Sequence, residues 1–369
     1  MAKFLGRLST EELRDKLIAQ RQLGSWNPTS EFLTCFDVDG HLLDNMTAKQ
    51  VVVFQPHFMD ILGFRSIESF YRLHAEFHNL WSRDRGCDRH EAQSLTLASL
   101  LQDPELRCGL EEEVEHRIKQ VLASLDGYID SIRTSGGAYG FDSLFAHAKA
   151  HSEDPNITLL VVWSKAVDLT FPFVSIPMQP FARVRETLAY VSERSDVLIV
   201  SKTPYEDICN WLERHDLIQY VTAVAGKEQG GKDEHICLAR GGQYDAKSKE
   251  VVRQGNRYPA NNVIMGGDGE GDLKAVKKNE GLFFPTPPAQ EETAWATAIE
   301  DVFVPFFAGQ YAQREAEKIV EFRAAMIEKG PWELADYDHR SAYGRLQPKR
   351  RQLYQQLKPG GKLYSHGGE

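Results

Sequence analysis

Two acidic residues stand at a spacing that suits metal-assisted chemistry. Asp37 and Asp39 follow the apolar run 32–36, and Gly40 comes directly after them. Side chains alternate along a strand, so carboxylates two residues apart lie on the same side of the backbone. Two negative charges at so short a distance repel each other, and a shared proton or a divalent cation usually compensates this repulsion. An acidic turn that only ends a strand would contain the same pair, so the rest of the chain must distinguish a functional site from such a turn.

Further polar residues follow two later apolar runs. Ser201 comes directly after the run 196–200, while Asp268 and Asp272 come shortly after the run 262–265. In an open parallel sheet, ligands bind at the carboxyl ends of the strands. If these runs are parallel strands of one sheet, their polar residues should converge with the first acidic pair. The alternative is that Ser201 and Asp272 only cap the helices that follow them.

The apolar pattern predicts the elements that would bring these residues together. After residue 180, short apolar runs alternate with helical stretches, which implies parallel strands, right-handed crossovers and helices on both faces of the sheet. Between 45 and 180, helical periodicity dominates, as in 110–134. We predict an α/β fold with a doubly wound parallel-sheet core, an inserted helical cap and helices at the C-terminus. The predicted divisions are a core at 1–44 and 181–294, a helical cap domain at 45–180, a helical C-terminal extension at 295–357 and a disordered tail at 358–369.

Individual elements are predicted from the same pattern. A capping-box signature predicts a helix at 9–22. The run 157–163 suits either a buried strand or a helix that continues through Val167, and we favour the helix. The other predicted helices are 182–194, 205–215, 232–240 and 270–279, and the predicted strands are 32–36, 196–200, 220–225, 262–265 and 281–284.

Length, charge and composition limit the class of protein. The 369 residues suit about two domains, at roughly 100–200 residues each. The 42% apolar and 26% charged residues are ordinary for a soluble globular protein. A formal net charge of −10 argues against an extended surface for nucleic acid. The C-terminal helices offer a surface for a homodimer, and no membrane partner is expected.

The cysteines and the apolar runs favour a cytoplasmic location. Five cysteines lie scattered without CxxC spacing, which suits neither a zinc site nor a disulfide framework. By this pattern, no apolar stretch reaches the roughly 18 residues needed to cross a bilayer. The polar N-terminus is not followed by the apolar core of a signal peptide.

The ordered motifs resemble those of a known family. The series Asp37-Val-Asp-Gly, Ser201, a lysine, and Gly-Asp268-x-x-x-Asp272 is similar to the four motifs of the haloacid dehalogenase-like (HAD) superfamily of phosphohydrolases. The similarity is greatest to phosphoglycolate-phosphatase-like members, whose cap follows the first motif. It covers about residues 31–42 and 181–290, and it implies a Rossmann-like core.

The resemblance implies a magnesium-dependent phosphatase that acts on a small phosphorylated metabolite through an aspartyl-phosphate. Asp37 would attack phosphorus, and Asp39 would protonate the leaving alkoxide and then deprotonate water. Ser201 would hydrogen-bond the phosphoryl group, and a lysine would stabilise its charge. Lys232 is the favoured lysine and Lys227 is the alternative.

The resemblance also implies a set of ligands for Mg²⁺. Asp37 and Asp268 would each offer a carboxylate oxygen, and Asp39 its backbone carbonyl. Asp272 would support the metal through water or orient the lysine. In the first motif His41 replaces the usual threonine or valine. This histidine would keep the local hydrogen bonds or alter proton transfer near Asp39.

Five residues are predicted to bind the substrate: Asn45, Arg83, Arg85, Lys202 and Thr203. The two arginines lie in a cap segment rich in arginine, which suits an anionic or polyhydroxyl group but equally a solvated helix face. Asn45 follows the first motif and suits a hinge or a substrate contact. Two other functions stay open, a HAD-like phosphomutase and a catalytically silent scaffold that binds a partner.

Overall fold

In the computed structural model of the chain, residues 23–137 and 139–356 are described. They form two compact units. The first contains the segment that ends at Asp44 together with Gln179–Met326, and the second contains Asn45–Met178 together with the segment that begins at Ile327. The predicted helix at 9–22 and the predicted tail at 358–369 lie outside the described residues.

The first unit is built on a parallel sheet. In the described residues, five strands pair in the order β3-β2-β1-β6-β7, and every pair is parallel. The order reverses at β1, which lies between β2 and β6; at such a reversal a crevice opens at the carboxyl ends of the strands. This confirms the predicted α/β fold. The strands are β1 Leu33–Phe36, β2 Asp196–Val200, β3 Ala223–Ala225, β4 Gln243–Asp245, β5 Glu250–Arg253, β6 Val263–Gly267 and β7 Leu282–Pro285.

Burial explains which strands were predicted well. Every residue of the five parallel strands is buried, so each strand reads as a continuous apolar run. The predicted strand 220–225 is shorter in the structure, because the 3₁₀ turn Ile218–Tyr220 occupies its start. The antiparallel pair of β4 and β5 was not predicted, since its residues are mostly exposed and polar.

The four predicted helices of the first unit, 182–194, 205–215, 232–240 and 270–279, agree with the structure to within a few residues. Further helices follow β7, and their individual bounds were not predicted. The helices and helical turns of this unit are Val184–Ser192, Tyr205–Arg214, Ile218–Tyr220, Lys227–Gln229, Lys232–Ala239, Ala260–Asn262, Glu270–Lys278, Glu291–Ala296, Ile299–Phe303, Val304–Phe307 and Ala312–Ala325.

The second unit is helical throughout its described residues. The predicted helix 110–134 is Glu112–Ser135, and the run 157–163 lies inside the helix Pro155–Val174, so the helical interpretation of that run is confirmed. A buried cluster that includes Phe58, Tyr128 and Trp163 forms the core of this unit. Its helices and helical turns are Met46–Ala48, Lys49–Phe54, Gln55–Leu62, Arg65–Ile67, Glu68–Glu76, Phe77–Trp81, Arg89–Leu100, Pro104–Gly109, Glu112–Ser135, Phe141–Ala150, Pro155–Val174, Pro331–Glu333 and His339–Gln356.

The C-terminal segment 295–357, predicted as one extension, is divided between the units. Helix Ala312–Ala325 packs on β7 in the first unit, whereas helix His339–Gln356 packs on helix Glu68–Glu76 in the second. The division falls after Met326.

One helix of the described residues contradicts the expectation that no apolar run is long enough to cross a bilayer. By length and composition, Pro155–Val174 could cross a membrane, so the statement that no stretch is long enough was wrong. However, Leu160 and Trp163 on this helix are buried in the core of the second unit. Lys165 and Asp168 place charges within it. Core helices of soluble proteins pass the same test, and the cytoplasmic location stays a prediction.

Candidate active site

The predicted polar residues lie at the carboxyl ends of three adjacent strands. Asp37 follows β1, Ser201 follows β2 and Asp268 follows β6. The sheet pairing continues into this region, since the backbone N–H of Asp37 donates to the carbonyl of Gly266 at 3.1 Å. Because β1 lies between β2 and β6, these three residues stand side by side although the chain separates them widely.

Three carboxylates form a compact buried cluster. Asp37, Asp268 and Asp272 each offer an oxygen, and these oxygens all lie within 4.8 Å of one another. All three side chains are buried. Asp272 also caps its helix, because its Oδ2 accepts a hydrogen bond from the backbone N–H of Gly269 at 3.1 Å. Asp272 therefore both caps its helix and belongs to the carboxylate cluster, although the sequence analysis treated these roles as alternatives.

A glycine permits this close arrangement. A Cβ atom on Gly267, the last residue of β6, would collide with the side chain of Asp272. Only glycine therefore lets the strand end so close to the carboxylate.

Lys232 connects the carboxylates. Its Nζ lies 2.6 Å from Oδ2 of Asp37 and 2.5 Å from Oδ1 of Asp272. The side chain is 11% exposed, and it belongs to the first residue of helix Lys232–Ala239. Burial alone would lower the pKa of Lys232, but the charges of Asp272 and Asp37 raise it above its usual range. The competing Lys227 is exposed, so the structure brings Lys232 to the acidic cluster.

The cluster is short of positive charge. One ammonium group faces three carboxylates, which leaves two negative charges uncompensated if all three are ionised. Burial raises the pKa of Asp37 from its ordinary value of 3.8 to about 6; Lys232 opposes this shift, while Asp272 and Asp39 add to it. Buried carboxylates with an unbalanced charge and an all-oxygen donor set suit a hard divalent cation such as Mg²⁺.

A turn after β2 connects Asp39 with Ser201. The hydroxyl of Thr203 donates to Oδ2 of Asp39 at 2.8 Å, and the backbone N–H of Thr203 donates to Oγ of Ser201 at 3.2 Å. The N-cap of the next helix is Pro204, so Ser201 does not cap that helix. Lys202 is exposed. Nothing in the sequence indicates that Thr203 contacts Asp39, since the bond joins residues 164 positions apart.

Replacing Thr203 with valine should slow a reaction that uses Asp39 for proton transfer. The variant removes a hydrogen bond to a charged group, worth about 1.5–3 kcal/mol, so we expect kcat to fall roughly 10-fold or more. Steady-state kinetics would measure kcat and KM. Thr203→Ser keeps the hydroxyl and should retain most of the activity; equal losses in both variants would contradict the role of this bond.

His41 has a packing environment that the sequence did not reveal. Its ring is buried and packs against Phe36, Phe284 and Trp295. Its Nδ1 lies 2.9 Å from the hydroxyl of Thr286. Burial, followed by the nearby charge of Lys232, lowers the pKa of His41 well below its usual range and keeps the ring neutral. These contacts support a structural role and give no support to the hypothesis of proton transfer near Asp39.

Three predicted substrate-binding residues belong to the second unit. Asn45 is buried at the start of its first helix, where its carbonyl accepts from the N–H of Lys49 at 2.8 Å. Arg83 forms a 2.6 Å ion pair with Glu328, and the buried Arg85 donates to the carbonyl of Leu80 at 3.0 Å. Their roles in substrate binding stay predictions.

Comparisons with known proteins give similarities of structure only. No family model matches the chain, and no curated protein matches its sequence. A haloacid dehalogenase-like hydrolase from Xanthomonas campestris shares 14% identity, with a TM-score of 0.37, over 76% of this chain and 94% of that chain. A predicted phosphoglycolate phosphatase from Haemophilus somnus shares 10% identity, with a TM-score of 0.37, over 74% of this chain and 98% of that chain.

A third solved structure, a haloacid dehalogenase-like hydrolase from Streptococcus pneumoniae, shares 12% identity, with a TM-score of 0.35, over 72% of this chain and 90% of that chain. At such identities and scores no functional conclusion rests on these similarities. A function can therefore be proposed only from the residues of the site. The chain is similar to haloacid dehalogenase-like hydrolases.

Proposed function

We propose that the chain is a Mg²⁺-dependent phosphohydrolase that cleaves a small phosphoric monoester through an aspartyl-phosphate on Asp37. One observation carries this proposal. A buried ammonium group bridges Asp37 and Asp272 within a three-carboxylate cluster, where the order of a parallel sheet reverses. Such a site joins a nucleophile to groups that stabilise negative charge.

The proposed reaction has two displacements at phosphorus. In the first, an oxygen of Asp37 forms a bond to phosphorus while the bond to the alcohol oxygen breaks, and Asp39 gives its proton to that oxygen. In the second, Asp39 accepts a proton from water, whose oxygen attacks phosphorus and releases Asp37. The bond from Thr203 to Asp39 holds the proton-transfer carboxylate in a fixed orientation.

Other residues would bind and orient the phosphoryl group. The Lys232 ammonium lies beside the nucleophile and would stabilise the charge that develops on the phosphoryl oxygens. The Ser201 hydroxyl, at the adjacent strand end, would donate a hydrogen bond to the same group. Fixed donors of this kind need no reorganisation as the charge develops.

The carboxylates fit the metal that the proposal requires. Asp37, Asp268 and Asp272 would hold Mg²⁺, with the Asp39 carbonyl as a further donor, because the cluster is buried, rich in oxygen and short of positive charge. The bound ion supplies charge neutralisation between an anionic nucleophile and an anionic substrate.

The direct test is hydrolysis of para-nitrophenyl phosphate by the full chain, with Mg²⁺ and with EDTA. We expect release of para-nitrophenolate only with the metal. A folded protein that binds Mg²⁺ yet releases no product from this ester or from a panel of phosphorylated metabolites would contradict the proposal and favour the scaffold.

Binding of Mg²⁺ should stabilise the protein in a pH-dependent way. The folded-state pKa of Asp37 is raised to about 6, so without metal its contribution to stability is greatest below about pH 4 and is lost as the pH rises through about 6. Mg²⁺ replaces that proton and should therefore increase Tm by several degrees at pH 7.5 but much less at pH 5. Differential scanning fluorimetry would measure both increments.

Two matched variants make this measurement specific. Asp268→Asn should lose the Mg²⁺-dependent rise in Tm at pH 7.5, because a carboxylate ligand is removed. Asp245→Asn alters an exposed acid in the same unit and should keep the Mg²⁺-dependent rise in Tm. An increment of equal size in both variants would show that Mg²⁺ binds elsewhere.

A further inference from the structure

The turn after β2, which holds Asp39, is itself held by the turn after β3. The backbone N–H of Lys227 donates to the carbonyl of Thr203 at 3.1 Å. One carboxylate oxygen of Glu228 accepts a hydrogen bond from the backbone N–H of Tyr205 at 3.0 Å. Two hydrogen bonds therefore join the two turns close to the Thr203 hydroxyl that binds Asp39.

The helix that begins at Tyr205 takes an acceptor from another part of the chain. The first N–H groups of a helix have no partner within it, and the side chain of the N-cap residue usually satisfies one of them. The N-cap of helix Tyr205–Arg214 is Pro204, which makes no such bond. Glu228 supplies an acceptor instead, and its negative charge lies at the positive end of the helix dipole. The carboxylate therefore fixes the first residue of this helix.

The turn after β3 is well placed to support Glu228. Gly226, at its start, is buried, and a Cβ atom there would lie 2.5 Å from the backbone nitrogen of Tyr205, so only glycine permits this close approach. The N–H of Gly226 donates to Oε1 of the buried Gln229 at 2.7 Å. The N–H of Gln229 donates back to the carbonyl of Gly226 at 3.0 Å. These bonds within the turn give Glu228 a fixed base.

Thr203 connects this support to the carboxylate that transfers protons in the proposed reaction. Its carbonyl accepts a hydrogen bond from the turn after β3, while its hydroxyl donates to Oδ2 of Asp39 at 2.8 Å. Hydrogen bonds weaken steeply as their distance and angle change. If the bond from Tyr205 to Glu228 is lost, the segment that carries Thr203 gains freedom to move. The bond from Thr203 to Asp39 should then hold the carboxylate less firmly.

We infer that Glu228 is a positioning residue for proton transfer by Asp39, and that it acts through Thr203. This inference rests on the proposed function, in which Asp39 protonates the leaving oxygen. The need for that proton depends on the leaving group: phenolate is strongly basic and benefits from protonation, whereas para-nitrophenolate is a stable anion that leaves without it. Loss of Glu228 should therefore slow cleavage of phenyl phosphate more than cleavage of para-nitrophenyl phosphate.

The test compares kcat/KM for these two esters, which have similar shapes, using the full chain with Mg²⁺. Glu228→Ala should lower the value for phenyl phosphate at least about 5-fold more than the value for para-nitrophenyl phosphate, since a positioned acid contributes roughly 10²–10⁴-fold. Glu228→Gln keeps an oxygen acceptor for Tyr205 and should restore most of the loss. The matched control is Glu206→Ala, which removes an exposed acid from the first turn of the same helix and should change neither value.

The ratio of the two kcat/KM values does not depend on the fraction of folded protein, so a loss of stability in Glu228→Ala cannot imitate the expected result. In a Thr203→Val background, Glu228→Ala should not change this ratio further, because both residues act through one hydrogen bond. Equal losses for the two esters, or a full further change in that background, would overturn the inference and leave Glu228 as a helix cap. If the original protein hydrolysed neither ester, the proposed function would itself be wrong, and this role with it.

Discussion

Asp37→Asn is expected to reduce kcat for para-nitrophenyl phosphate by at least roughly 10³-fold, because the amide cannot form the acyl-phosphate. The substitution preserves the size of the side chain, and Lys232 keeps its contact with Asp272. The loss should therefore arise from chemistry and not from unfolding. Initial rates with saturating Mg²⁺ would measure it, and circular dichroism would check the fold.

The same variant should be at least as stable as the original protein without metal. The pKa of Asp37 is raised to about 6 by burial, so its ionised form is unfavourable in the folded state at pH 7.5. Asparagine removes that charge, and Tm in EDTA should stay equal or rise. The exposed Asp245→Asn should leave activity unchanged, because Asp245 is not part of the acidic cluster. Turnover that persists in Asp37→Asn would contradict the assignment of the nucleophile.

Lys232→Met is expected to affect both activity and stability. Removing one partner from a buried ion pair typically costs about 3–5 kcal/mol, and this ammonium contacts two carboxylates. We expect a loss of that size in the free energy of unfolding in urea, measured in EDTA at pH 7.5. Without the charge beside the phosphoryl group, kcat should also fall by roughly 10²-fold or more.

Lys227→Met is the matched control. This lysine precedes Lys232 by five residues, but its side chain is exposed, so the substitution should change the free energy of unfolding by less than about 0.5 kcal/mol. Activity should also be unaffected. If Lys227→Met abolished turnover and Lys232→Met did not, the assignment of the lysine would be reversed.

The parallel sheet could be predicted from the sequence because its strands are buried on both faces. The run that forms β2, Asp196–Val200, is almost wholly apolar, and its predicted bounds agree with the structure. The β4–β5 pair could not be predicted in this way, because exposed polar strands have no apolar period. Helix Pro155–Val174 was recognised as helical, but its composition alone does not distinguish a buried core helix from a membrane span.

The residues at the strand ends could be identified from the sequence, since Asp37 and Ser201 follow apolar runs directly and Asp268 follows one after two glycines. How these residues meet depends on the packing of the folded chain. The choice of Lys232 over Lys227, the bond from Thr203 to Asp39 and the packing of His41 among aromatic rings all depend on contacts between distant segments. Local pattern specifies elements through burial and backbone geometry, whereas such contacts arise only when the sheet and its helices pack together.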